Sequence, residues 1–124
     1  MRKIRLTILL LILCNIIYGQ DSIYDIATHL HKAYDLESNK DIYLFNKIEK
    51  YYKLVLKIDS NHLSANYALG ILYYNNAAIF GTKLKTDKGK NADKDVKMIE
   101  MYMQKAKYYL DRYSKLSGRK ISYD

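Results

Sequence analysis

Not one of the 124 residues is Pro. Pro in a helix interior costs about 3 kcal/mol, so its absence leaves the backbone able to run in long uninterrupted helices. The apolar residues are spaced to use that freedom. No stretch alternates with the period of two that a half-buried strand requires, whereas stripes of period 3.6 recur along the chain. Ile23, Ile26, Ala27, Leu30 and Tyr34 share one face, with Ser22 and Asp25 placed to cap it. Ser38-Asn39-Lys40-Asp41 breaks the pattern as a turn. Leu44, Phe45, Ile48, Tyr52, Val55 and Ile58 form the second stripe. Asp59, Ser60 and Asn61 supply three residues able to cap a third helix from Leu63. That helix carries Leu63, Tyr67, Gly70, Ile71 and Tyr74, with Leu69, Leu72 and Tyr73 beside them. A fourth stripe runs Val96, Ile99, Met103, Ala106, Leu110, Tyr113 and Leu116. Gly81, Gly89 and Gly118 stand where helices would loosen or end. The expected fold class is all-α, two antiparallel helical hairpins joined by short turns.

The N-terminus reads differently. Arg2, Lys3 and Arg5 precede Leu6–Tyr18, thirteen almost wholly apolar residues closed by Gly19. A basic start, a short apolar core and a small residue make a secretory signal, and such a core is shorter than the roughly 20 residues a membrane span needs. Residues 1–19 are therefore expected to be a signal peptide, and the mature chain to be exported to a periplasm or secreted. Leu11-Ile12-Leu13-Cys14 offers a second reading, lipidation of Cys14, although Leu13 stands where a small residue is usual. Cys14 is the only cysteine, so a chain cut at Gly19 has no thiol for catalysis, a disulfide or a metal.

One glycine lies where a helix does not want it. Gly70 falls mid-helix, at a cost of roughly 1 kcal/mol against Ala, and such a Gly usually admits a close neighbour. Around it, Tyr67, Leu69, Gly70 and Tyr73 stand at the spacing of an aromatic, a Leu-Gly pair and a following Tyr. This segment resembles the first helix of a tetratricopeptide repeat. Ile48, Tyr52, Val55 and Ser60 match the end of a preceding unit, and Ala106, Leu110 and Tyr113 its second helix, so the resemblance spans 42–117. Residues 22–37 lack the Leu-Gly signature and resemble at most a degenerate repeat. Against the family's 34-residue period, Ala106 comes about 24 residues late. The insertion, around 80–95, is expected to lengthen both helices by about twelve residues, roughly 18 Å each, with the tip of the hairpin near 85–93. The expected domains are 1–19, a first hairpin over 20–58, and an elongated one over 59–124.

The resemblance implies a non-enzymatic scaffold that binds a protein or peptide through a groove lined by Tyr67, Ile71, Tyr74 and Asn75. Tyr51, Tyr52, Tyr73, Tyr108, Tyr109 and Tyr113 are expected in the core, and the apolar surface around Tyr102 and Tyr109 is expected to remain open for a homodimer or a docked partner. Charge suggests an alternative. Residues 80–124 hold 12 basic and 6 acidic residues, against 6 and 7 in residues 20–79. Lys83, Lys85, Lys88, Lys90, Lys94 and Lys97 gather at the expected tip, where they would suit an anionic lipid or polysaccharide. A structural subunit of an envelope assembly is the third reading. Nucleic acid is disfavoured, because Asp87, Asp93 and Asp95 dilute the lysines. His29 and His31, two residues apart, point about 200° from one another on a helix, and His62 sits in a capping turn. No metal set, phosphate loop or nucleophile triad can be assembled, so neither a cofactor nor catalysis is expected.

Overall fold

The computed structural model describes residues 2–38, 40–86 and 90–122, with side chains at all of these except 2–4, 6 and 11–20. Every element among the described residues is a helix: α1 (Arg2–Leu36), α2 (Ile42–Ile58), α3 (Leu63–Thr86) and α4 (Ala92–Ser117). They form two compact units, Met1–Ser60 and Asn61–Asp124, each a helical hairpin.

In the first unit the turn is built by polar side chains. Lys40 Nζ donates to the Tyr34 and Asp35 carbonyl oxygens at 2.7 and 2.9 Å, which places a cation on the open carbonyls ending α1. Asp41 then caps α2, its Oδ1 accepting from the Tyr43 N–H at 2.9 Å. The register is antiparallel: Tyr34 packs on Phe45 (ring centroids 6.1 Å) and His31 on Tyr52 (5.7 Å). Ala27 and Tyr34 of α1 are buried, as are Phe45, Ile48, Tyr52 and Val55 of α2.

α1 runs without a break through the expected cap, so Ser22 starts no helix. Nothing between Tyr18 and Ile23 stops one: there is no Pro, and one Gly alone is tolerated. At 1.5 Å per residue α1 is about 52 Å long and α2 about 26 Å. The stretch of α1 paired with α2 therefore ends near residue 22, and the preceding arm reaches past it. Ile8, Leu9 and Leu10 on that arm are all more than half exposed.

The second unit carries the lengthened hairpin. α3 and α4 reach about 36 and 39 Å, so residues 80–86 and 92–95 are helical. Tyr67 lies against Tyr113 (4.9 Å), Tyr73 against Tyr109 (5.9 Å), and Phe80 against Tyr102 (5.9 Å), one antiparallel register over about four turns. Gly81, expected to loosen α3, sits inside it. Gly118 ends α4 in the left-handed conformation (φ 73°), its N–H donating to the Ser114 carbonyl at 2.9 Å. Gly89 lies outside the described residues.

Gly70 is buried at the hairpin interface. A Cβ there would come within 2.6 Å of Leu110 Cγ and 2.7 Å of Cδ2. The missing side chain is what lets α4 approach.

Candidate partner-binding face

α3 is apolar around most of its circumference, and burial divides it in two. Ala65, Asn66, Leu69, Gly70, Leu72, Tyr73, Asn76 and Ala77 are buried. On the opposite side Tyr67 and Asn75 are exposed, and Ile71 and Tyr74 half-buried. These four expected groove residues thus share one face, with Ser64, Ala78 and Lys85 continuing it. The 24 residues of α3 contain no carboxylate. Tyr67 is 44% exposed while its ring rests on Tyr113, so it is fixed in place from below.

His62 positions the start of this helix. Its Nδ1 accepts the Ala65 N–H at 3.0 Å, and its carbonyl accepts both the Asn66 N–H and Asn66 Nδ2. An imidazole thus does the work expected of Asp59, Ser60 or Asn61. Asn61 instead accepts from Arg112 Nη2 at 3.2 Å, which ties the C-terminal end of α4 to the start of α3.

The tyrosines divide differently from expectation. Tyr52 and Tyr73 are buried, and Tyr51, Tyr109 and Tyr113 half-buried, but Tyr108 is 58% exposed. Tyr102, expected on an open end, is buried, stacked between Tyr73 (6.0 Å) and Phe80 (5.9 Å). The cause is a rotation of α4. Its buried line runs through Asp95, Tyr102, Ala106 and Leu110, whereas Val96 and Leu116, expected in the core, are 40% and 41% exposed. The large Tyr102 ring fills the space beside Tyr73 and Phe80 on α3, and the helix turns to suit it.

At the hairpin tip, Lys83, Lys85, Lys90, Lys94 and Lys97 are all exposed; Lys88 lies outside the described residues. Lys83 Nζ sits 4.9 Å above the Phe80 ring. Lys90, Asn91, Ala92, Asp93 and Lys94 line an open depression of about 390 Å³ at the start of α4. The basic excess is spread over three places: residues 80–91 hold four basic residues and one acidic, α4 six and four, and residues 118–122 two and none.

One arrangement superficially suits catalysis. His31 Nδ1 lies 2.9 Å from the Tyr52 hydroxyl, and its Nε2 3.7 Å from Asp35 Oδ1, a carboxylate–imidazole–hydroxyl series. The electrostatics run the wrong way for a nucleophile. Burial pushes Tyr52 up to about 12, against a smaller opposing effect of the neighbouring Thr28 hydroxyl. Burial also lowers His31, with Asp35 opposing and Lys40 assisting. A neutral imidazole and a protonated phenol hold α1 to α2, with Tyr52 only 1% exposed. His29 is exposed and bonds to the Asp25 carbonyl one turn back.

Among the described residues no three His, Cys, Asp or Glu side chains gather as a metal site, and no helix is long and apolar enough to cross a membrane. No protein-family model, curated protein or solved structure matches the chain.

Proposed function

We propose that this chain is an exported, non-enzymatic interaction scaffold whose α3 face, Tyr67, Ile71, Tyr74 and Asn75, takes a peptide or helical segment of a protein partner. One observation carries the reading: α3 buries one apolar side and on the other, over the same turns, leaves Tyr67 and Asn75 exposed and Ile71 and Tyr74 half-buried. Tyrosines on a rigid helix are good anchors, because they offer large contact area for few rotatable bonds. The tetratricopeptide-like spacing around Gly70 supports the same face. Export rests on the basic, apolar and small-residue order of residues 1–19, and the arm that α2 leaves uncovered agrees with a segment the hairpin can lose.

The test is binding at this face by its salt dependence. Once a partner has been captured through a photo-reactive residue at Asn75, its affinity should persist in about 0.5 M salt and fall by at least roughly tenfold in Tyr74→Ala. Binding that vanishes in moderate salt, or that ignores Tyr74→Ala, would remove the α3 face as the docking surface.

A further inference from the structure

The rotation of α4 leaves a second surface on its outer side. Lys94, Lys97, Lys105, Arg112 and Lys115 recur at helical spacing along it, with Met101 and Tyr108 between them. The line covers about six turns, roughly 32 Å. Lys94, Lys97 and Lys115 are exposed, and Met101 and Tyr108 are 37% and 58% exposed. Lys105 Nζ lies 5.3 Å above the buried Tyr73 ring and Arg112 bonds to Asn61, so these two half-buried cations lean toward α3 and the outward charge is carried by Lys94, Lys97 and Lys115. No carboxylate enters the line. Asp93, Glu100 and Asp111 fall together about 40–60° beyond Lys97 and Lys115 round the helix, and Asp95 is buried.

We propose that this stripe lays α4 along a layer of anionic lipid headgroups. The exposed cations Lys94 and Lys97 at one end of the line and Lys115 at the other select an anion-rich partner on this side of the helix. The interleaved Met101 and Tyr108 select a lipid layer, since a bilayer interface accepts an apolar side chain beside a ladder of cations. A tyrosine, with an apolar ring and a polar tip, suits that depth. Single-stranded nucleic acid fits less well, because its bases stack on successive aromatics and the stripe exposes one. This surface is separate from the α3 face and does not depend on it. It also moves the anionic contact from the tip to the flank of the hairpin.

The chain contains no Trp, so Tyr108→Trp in the full chain supplies a single reporter at a solvent-exposed position. Its emission should shift to the blue on titration with phosphatidylserine–phosphatidylcholine vesicles and stay unchanged with phosphatidylcholine alone. Each cation near an anionic bilayer changes binding about fivefold. Adding Lys97→Gln and Lys115→Gln should therefore raise the half-maximal lipid concentration about 25-fold. Lys107→Gln with Lys120→Gln removes the same charge away from the stripe and should change it less than about threefold, because salt screens charges that stand off the lipid surface. Circular dichroism checks that each variant keeps its helices. Absence of a blue shift from the indole at position 108 overturns the proposal, including the case in which vesicles are captured through the N-terminal segment alone. Equal losses in the two lysine pairs overturn it too, as does a response to single-stranded RNA but not to vesicles.

Discussion

Gly70 gives the sharpest test of the packing. In Gly70→Ala the new methyl would lie 2.6 and 2.7 Å from Leu110 Cγ and Cδ2, and 3.3 Å from the Leu110 backbone nitrogen. Two opposed effects set the outcome. Ala is the better helix former by about 1 kcal/mol, while forcing a methyl into a filled interface costs about 1–3 kcal/mol. Leu110 is 1% exposed, so it has no open space into which to swing, and the crowding should prevail. We expect a net loss of up to about 2 kcal/mol, read as a lower urea midpoint by circular dichroism and a Tm lower by up to about 8 °C. The decisive step is the double mutant. Leu110→Ala alone should cost about 2–5 kcal/mol through the cavity it opens. In that background only the 3.3 Å contact with the backbone nitrogen of residue 110 remains, so most of the crowding is gone and Gly70→Ala should stabilise by up to about 1 kcal/mol. The sign of one substitution thus reverses with its neighbour, a coupling that distant sites do not show. If Gly70→Ala stabilises the otherwise unaltered chain, or if the two changes simply add, the close approach of α4 to α3 is wrong.

Three further outcomes follow from the same structure. Gly81 lies in α3 with nothing within 4 Å of where a Cβ would stand, so Gly81→Ala should raise stability by about 0.4–1 kcal/mol in the same urea assay. The fold holds His31 neutral below its ordinary value of 6.5, so between the folded and unfolded pKa values the unfolded chain binds more protons. Its contribution is complete above about pH 6.5 and is lost as pH falls through the lowered folded value; His31→Asn should show a smaller drop in urea midpoint between about pH 7.5 and 5.5. A chain beginning at Gln20 retains the part of α1 that pairs with α2, so its thermal unfolding should keep the helical signal of residues 20–36 and its cooperativity.

The sequence patterns locate the helices well because periodicity and turn chemistry are local. Asp41 caps α2, and Gly118 closes α4. What they miss is set by neighbours. The period along α4 fits more than one rotation of the helix, and only the fit of Tyr102 between Tyr73 and Phe80 chooses which. Gly70 signals that something comes close, but not that it is Leu110. The cap of α3 falls to His62, since an imidazole nitrogen can accept an N–H where Asp, Ser or Asn is the usual choice. The same limit applies to the candidate face. Spacing alone puts Tyr67, Ile71, Tyr74 and Asn75 on one side of α3, whereas the basic stripe on α4 emerges only once burial fixes which side of that helix faces outward.

A photo-reactive residue placed at Asn75 in the cell that expresses the chain tests the scaffold reading most directly, with the same residue at Glu100 as the comparison. Docking at the α3 face predicts one discrete protein adduct from position 75 and none from position 100. No adduct at position 75, or the same adducts from both positions, would contradict it.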